Sequence, residues 1–310
     1  MPHSQFSSGD ALADRRVEYA RMLAESGDLL AATELVEQAL ELVPYWAAGW
    51  FSLADYRERN AVVEGAVDAY RQALRFDPQD VFGARLKLAL LGAAEVPDLP
   101  PSRYVESLFD DYAERFDEAL VERLNYRIPE DLARMIADKA PFRLTVDLGC
   151  GTGLLGAAIR HMTDHLEGFD LSANMLAKAE QKAIYDYLSE ADLNLPAEAA
   201  GLFGPGRPTF RADLVTAADV LIYLGSLETV MPLVADLLST GGHFAFSVEE
   251  ATGSEGFQLR ESLRYAHTEP YIRALLEKSG FETVATMPTD IRLDRGKPVP
   301  GMLFLSRKEG

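Results

Sequence analysis

The feature that most constrains this chain is a short apolar run that ends in glycines. Phe142-Arg143-Leu144-Thr145-Val146-Asp147-Leu148 has the branched, apolar character of a buried strand, and it runs directly into Gly149-Cys150-Gly151-Thr152-Gly153. Small and apolar residues over 154–162 then read as a helix. A strand that turns through glycines into a helix exposes bare backbone amides to a ligand. In an open parallel sheet that turn lies at the strand carboxyl ends, where ligands bind. From this point the chain is constrained to alternate strands with helices.

The alternation continues downstream. Residues 165–169 read as a second strand that ends at Asp170, and Ser172 is placed to cap the following helix, whose Met175, Leu176, Ala179 and Ala183 share one face. Residues 184–188 read as a third strand, 213–217 as a fourth, 227–238 as a helix and 242–248 as a fifth strand. A helix over 268–279 is closed by Gly280, and 281–287 with 302–305 form a final antiparallel pair. This pattern predicts a parallel sheet covered by helices on both faces.

Upstream, the chain has a different period. Slid against itself by 34 residues, it matches at Ala20/Ala54, Ala32/Ala66, Gln38/Gln72, Ala39/Ala73, Leu40/Leu74 and Pro44/Pro78, with Val36/Tyr70 as a large-for-large pair. Small residues let two helices approach, the large one fills the groove, and the proline stops the second helix. Two helical hairpins are expected over 12–44 and 46–78, turning at Gly27-Asp28 and at Asn60-Ala61, with a helix over 80–92 closing the stack. Glu95-Val96-Pro97-Asp98-Leu99-Pro100-Pro101 reads as a stiff linker. The expected organisation is therefore a helical repeat domain over 1–94, a linker over 95–101, and an α/β domain over 102–310 whose first part, 102–140, is helical. Tyr104, Leu108, Phe109, Tyr112, Phe116, Leu120 and Leu124 give 102–125 a strong amphipathic character, and Pro129 opens a further helix to about 139.

Composition narrows the partners. The 310 residues carry 30 basic against 49 acidic side chains, a net charge of −19. A field of that sign disfavours non-specific binding to nucleic acid or anionic lipid. The one cysteine, Cys150, excludes an intramolecular disulfide, and the five histidines lack paired metal-ligand spacing, so no metal is expected. The N-terminus shows no apolar leader, and no run approaches the about 18 apolar residues of a membrane span, so a cytoplasmic address is expected.

The glycine loop alone is ambiguous. Gly151-x-Gly153-x-x-Gly156 fits a dinucleotide fingerprint, while Gly149-x-Gly151-x-Gly153 after Asp147 fits another ligand. Three acids decide. Asp147 would face a pyrophosphate unfavourably but would help to bind the ammonium and sulfonium cations of S-adenosylmethionine. Asp170 can accept from both ribose hydroxyls and is expected to project over the sheet edge with no buried partner. Glu190-Ala191-Asp192-Leu193 offers an acid to the adenine amino group and an apolar cover for its ring.

With these residues in this order, the region 103–308 resembles the class I S-adenosylmethionine-dependent methyltransferases. The resemblance rests on Asp147 to Gly153, on Gly168-Phe169-Asp170-Leu171-Ser172 with Met175-Leu176, on Asp213-Leu214-Val215-Thr216-Ala217-Ala218-Asp219, and on Gly241-Gly242-His243-Phe244-Ala245-Phe246-Ser247. The block over 104–126 resembles the lid of small-molecule methyltransferases, and the N-terminal period resembles the tetratricopeptide repeat. The resemblance implies a Rossmann-like seven-stranded mixed sheet of order 3-2-1-4-5-7-6. It places Gly149, Gly151 and Gly153 on the methionine part of the cofactor, Asp170 on the ribose, Asp192 and Leu193 on the adenine, and Ala218 or Asp219 under the sulfonium. Asp147, Cys150 and Leu171 fall in the same cofactor loops. Met175 reads either as core or as an adenine contact. Tyr112, Phe116 and Tyr126 read either as core or as a lid over the cofactor. If the acceptor must lose a proton, Asp219, Tyr223, Glu249 and His267 are the candidate bases; His267 is placed at a helix start near Arg260 and Arg264. The function expected is methyl transfer to a small-molecule acceptor. The alternatives are a protein methyltransferase that recruits its target through the repeats, and a cofactor-binding scaffold without catalysis.

Overall fold

A computed structural model of the chain describes residues 6–115, 126–253, 255–294 and 296–310. The chain forms two compact units, Met1–Tyr104 and Val105–Gly310.

The first unit is helical. Helices α1 (Ala11–Glu25) and α2 (Leu29–Leu42) pack as a pair, as do α3 (Ala47–Arg59) and α4 (Val63–Phe76), and α5 (Ala84–Leu90) packs on α4. The alanines that repeat in sequence are the contact surfaces: Ala20, Ala54, Ala32, Ala66, Ala39 and Ala73 are all buried, with Val36 and Tyr70 filling the space between helices. Asp10 and Asp28 cap α1 and α2 by accepting from backbone amides. The first pair turns at Gly27 with a left-handed φ of 95°, and the second adopts the same turn at Ala61 with φ 59°. The expected capping helix over 80–92 is shorter, because Asp80 and Gly83 both take left-handed φ and the helix starts only at Ala84. Residues 95–101 are irregular.

Helix α6 (Ser102–Tyr112) crosses the boundary between the units, and a single 3-10 turn (Ala113–Arg115) follows it. The expected amphipathic helix over 102–125 is thus interrupted by Tyr112, and Phe116 lies outside the described residues. Helix α7 (Ile128–Ile136) begins at a proline-bearing first turn.

The second unit alternates as expected: β1 (Phe142–Leu148), α8 (Leu154–Ile159), β2 (Thr163–Asp170), α9 (Ala173–Gln181), β3 (Tyr187–Glu190), β4 (Ala212–Ala217), α10 (Val230–Leu237) and β5 (Leu238–Glu250). After these come β6 (Phe257–Leu259), β7 (Tyr265–His267), α11 (Glu269–Lys278), β8 (Phe281–Asp294) and β9 (Lys297–Lys308). Pairing runs β3-β2-β1-β4-β5, parallel throughout, and continues through antiparallel β9 to β8. With these seven strands alone numbered along the chain, β8 is the sixth and β9 the seventh, and the path has the order 3-2-1-4-5-7-6. The sheet has nine strands rather than the expected seven, because a short antiparallel ribbon, β6 with β7, joins the carboxyl end of β5 at Glu249 and Glu250.

Three boundaries moved for physical reasons. The third strand begins at Tyr187, not at Ile184. Ala183 takes a left-handed φ of 51°, and Ile184 and Tyr185 turn in against the glycine loop before pairing starts at Glu167↔Tyr187. His267 ends strand β7 instead of opening a helix. The closing pair is a long hairpin, because β8 is an edge strand that tolerates Pro288 and absorbs two register shifts.

Helices α7 and α8 cover one face of the sheet through Ile128, Leu132, Ile136, Leu155 and Ile159, packed on Leu166, Leu214, Ala245 and Leu305. The alternate residues Phe244 and Phe246 point to the other face, where Phe246 stacks on Phe304 with ring centroids 5.1 Å apart. Among the described residues no helix is long and apolar enough to cross a membrane, and no group of three or more His, Cys, Asp or Glu is placed to hold a metal.

Candidate active site

Asp147 is the buried anchor of the glycine loop. It lies one residue before the end of β1, paired in register with Thr216 of β4 and Gly168 of β2. The hydroxyl of Thr216 donates to its Oδ1 at 2.7 Å, and the hydroxyl of Tyr185 donates to its Oδ2 at 2.7 Å. Tyr185 can reach it only because two neighbours are glycines. A Cβ on Gly168 would stand 2.8 Å from the Tyr185 ring, and one on Gly156 would stand 2.2 Å from its hydroxyl oxygen. Gly156 therefore makes room for a tyrosine, which gives the third glycine of the fingerprint a packing role. Burial pushes the Asp147 carboxyl up to about 6, against the two hydrogen bonds that favour its ionised form.

Asp170 ends β2 and ties the two adjoining loops together. The Gly151 amide donates to its Oδ2 at 2.8 Å, and the Ser172 amide donates to its Oδ1 at 2.9 Å. The expectation that it has no buried partner is corrected here: the carboxylate holds the glycine loop and the start of α9 in place. Burial raises this carboxyl too, to about 6. Ser172 caps α9 by accepting from the Met175 amide and donates its own hydroxyl to Asp110 of α6 at 2.5 Å. Lys178 of α9 pairs with Glu114 at 2.8 Å, so the end of α6 and the 3-10 turn after it are fastened beside this loop.

These groups open on a cavity of about 320 Å³ at the carboxyl ends of the strands. Of the residues singled out from the sequence, Asp147, Gly149, Cys150, Gly151, Asp170, Leu171, Asp192, Leu193, Ala218, Asp219, Tyr223, Tyr112 and Tyr126 line it. Three do not. Gly153 sits behind the loop against Tyr185, as the left-handed residue that starts α8. Met175 is fully buried in the core. His267 is buried at the end of β7, where its Nε2 donates to the Gly225 carbonyl at 2.9 Å. Burial lowers its pKa to about 4, so it is a neutral core histidine, which corrects its place among the candidate bases. Cys150 is a small loop residue whose thiol is pushed well up by burial and by the neighbouring acids.

The loop is shaped for close approach. Gly149 has a left-handed φ of 60°, and a Cβ there would stand 2.4 Å from Val220 Cγ2. Two buried carboxyls of raised pKa beside bare backbone favour a cationic ligand, and Asp192, its carboxylate accepting from the Asn194 amide at 2.9 Å, supplies a further acid. This donor set fits S-adenosylmethionine, which brings two cations and a ribose diol.

Beyond β4 the cavity wall changes character. Asp219, at φ 59°, donates its amide to Ser247 Oγ at 2.7 Å. Its carboxylate accepts from Nη1 of Arg292 at 3.0 and 3.1 Å, while Nη2 of Arg292 donates to Glu249. Arg264 donates from Nε to the Tyr223 hydroxyl at 3.1 Å, and Phe109 stacks edge-on against Tyr223 at 5.0 Å. Sequence reasoning missed Arg292, Thr216 and Tyr185. Arg292 was signalled only as a lone charge between Ile291 and Leu293.

Residues 146–244 match a family described as methyltransferase domain. That stretch of the chain carries a methyltransferase domain. Curated relatives include a ubiquinone biosynthesis O-methyltransferase from Cupriavidus pinatubonensis, 29% identical over 98 residues, covering 32% of this chain and 38% of that protein. A malonyl-[acyl-carrier protein] O-methyltransferase from Enterobacter lignolyticus is 25% identical over 166 residues, covering 51% of this chain and 62% of that protein. The chain thus spans between 38% and 62% of the length of these two relatives. Among solved structures, a chain from the complex of the Haloferax volcanii Trm112 methyltransferase activator with its methyltransferase superposes with a TM-score of 0.50 at 16% identity, over 66% of this chain and 98% of that one. That likeness concerns the fold. The methyltransferase domain and the cavity described above share the same strand ends, from Asp147 on β1 to Asp219 after β4.

Proposed function

We propose that this protein transfers a methyl group from S-adenosylmethionine to an oxygen atom of a small acceptor. The observation that carries the reading is the pair of buried carboxyls, Asp147 and Asp170, set around a glycine loop and opening on one cavity. Relatives named as O-methyltransferases favour oxygen as the methylated atom. When bound, the cofactor supplies an electrophilic methyl group on a sulfonium.

In this reading Asp170 accepts from the ribose hydroxyls, and Asp192 with Leu193 holds the adenine. Gly149 and Gly151 lie against the methionine part, near the negative charge of Asp147. Ala218 and Asp219 lie under the sulfonium. Tyr112 and Tyr126 cover the cavity and exclude water from it. Asp219 orients Arg292 rather than removing a proton, since both its oxygens already accept from that guanidinium. We propose further that the first unit is a tetratricopeptide-like pair of repeats joined through 95–101 to the methyltransferase domain over 102–310. The buried register of Ala20/Ala54, Ala32/Ala66 and Ala39/Ala73 supports this.

The test is a thermal scan of the full chain with S-adenosylmethionine, S-adenosylhomocysteine, NAD and NADP. The first two should raise the melting temperature and the last two should not, because a ligand that binds only the folded state stabilises it. A shift with NAD alone would overturn the reading.

A further inference from the structure

We infer that the acceptor is a carboxylate, gripped by Arg264, and that the product is a methyl ester; the inference rests on the methyl-transfer reading above.

The two arginines of the cavity are in opposite states. The guanidinium of Arg292 is taken up by Asp219 and Glu249. That of Arg264 uses only its Nε, toward the Tyr223 hydroxyl, and its Cζ lies 5.8 Å from the centre of the Tyr223 ring. Among the described residues, no acceptor meets either of its Nη atoms and no carboxylate lies within 4.0 Å of them. Arg264 is half-buried and lines the cavity. A guanidinium held at Nε presents its two remaining nitrogens as a planar fork, which matches the two oxygens of a carboxylate. A cationic fork left open in a partly desolvated pocket is costly unless a ligand completes it.

The candidate bases point the same way. Asp219 and Glu249 are committed to Arg292, the Tyr223 hydroxyl oxygen is engaged by Nε of Arg264, and His267 donates to a backbone carbonyl outside the cavity. An alcohol or phenol acceptor would need one of them free to take its proton. A carboxylate arrives already ionised. One of its oxygens forms the new bond to the methyl carbon, the carbon–sulfur bond breaks, and its electron pair returns to sulfur. The acceptor's negative charge and the sulfonium's positive charge cancel, and no proton moves. Val105, Leu108, Phe109 and Leu224 give the same cavity an apolar lining, and Phe109 packs on Tyr223 itself, so the acid has an apolar body.

Calorimetry on the full chain saturated with S-adenosylhomocysteine tests this, with octanoate and hydrocinnamate set against the matching alcohols and amines. The acids should bind roughly 10- to 100-fold tighter than their alcohols, the loss expected when charge-assisted bonds are absent. Arg264→Gln should abolish that preference, and Arg264→Lys should restore part of it. Neither variant should change the affinity for S-adenosylhomocysteine. Methyl label passed to the acids should be released as methanol by mild alkali. If the alcohols or amines bind as well as the acids, if no acid binds, or if Arg264→Gln keeps the preference, the carboxylate assignment falls while methyl transfer stands. If S-adenosylhomocysteine fails to bind the wild type, both readings fall.

Discussion

Replacing Asp170 with alanine separates the two jobs that this carboxylate performs. As a proposed ribose acceptor, it would receive two hydroxyl donors, and charge-assisted bonds of that kind contribute roughly 1.5–3 kcal/mol each. With water partly compensating, the loss should be roughly 2–4 kcal/mol, or about 30- to 1,000-fold in affinity for S-adenosylhomocysteine. As a structural acceptor, Asp170 also holds the amides of Gly151 and Ser172 at 2.8 and 2.9 Å. Stranding them costs up to about 1–3 kcal/mol each where water cannot enter. Against this, raising its pKa from 3.8 to about 6 makes the ionised carboxylate costly in the fold by about 3 kcal/mol at neutral pH, and alanine removes that cost. The opposed effects leave the ligand-free protein within about 3 kcal/mol of wild type, while binding collapses. Asp170→Asn behaves differently: one amide oxygen can serve only one of the two backbone donors, and its NH2 group confronts the other. It should lose stability as well as affinity. Titration calorimetry and chemical denaturation on wild type and both variants give the two quantities separately. Unchanged affinity in a folded Asp170→Ala protein would refute the role assigned to this residue.

The acids of the glycine loop should also make binding depend on pH. Asp147 and Asp170 both titrate at about 6 in the ligand-free fold, above the 3.8 of an exposed carboxyl, so between about pH 4 and 6 the folded state holds more protons than the unfolded one. Ligand-free stability should therefore fall as pH rises through that window, whereas affinity for the cationic cofactor should rise through about pH 6 and level off near 7; an affinity that declines from pH 5 to 7 would contradict this. Gly149→Ala forces a left-handed alanine, costing about 1–2 kcal/mol, and drives its Cβ to 2.4 Å from Val220. Its cofactor affinity in calorimetry should drop at least roughly ten-fold, and its melting temperature should fall. Tyr185→Phe removes one of the two side-chain donors to Asp147 and should destabilise the protein by about 1–3 kcal/mol at neutral pH; denaturation curves that overlay wild type would show that the hydroxyl does not support the loop.

How much of this was legible in the sequence depended on the distance over which each signal acts. Local signals were readable. The strand-glycine-helix turn, the Ser172 cap, the Gly280 stop and the 34-residue register of alanines each lie within one or two elements, and each element sits where its residues placed it. Boundaries failed where a distant partner overrode local preference. Ile184 and Tyr185 have strand character, yet they fold inward because Gly156 and Gly168 leave space for the Tyr185 ring. Pro288 reads as a strand breaker, yet β8 continues past it because its amide side has no further strand to pair with. The β6–β7 ribbon is three residues per strand, too short for any periodicity to register.

The site shows the same division along the sheet itself. Strand order places Asp192 after β3, Asp170 at the end of β2, Asp147 on β1, Asp219 after β4, and Arg264 and Arg292 on the side of β5 and β8. The acids of one side were legible because each lies at or just beyond the carboxyl end of its own strand. The cations of the other side were not, because Arg292 meets Asp219 across 73 residues and Glu249 across 43. At about 4.8 Å per strand, the three steps from β2 to β5 separate the two sides by roughly 14 Å. A cavity with carboxyls of raised pKa on one side and an open guanidinium on the other is polarised before anything binds. A cation bound on the acid side leaves the arginine side to attract an anion. The two ligands of opposite charge that a methyl-ester-forming reaction requires would therefore each strengthen the binding of the other.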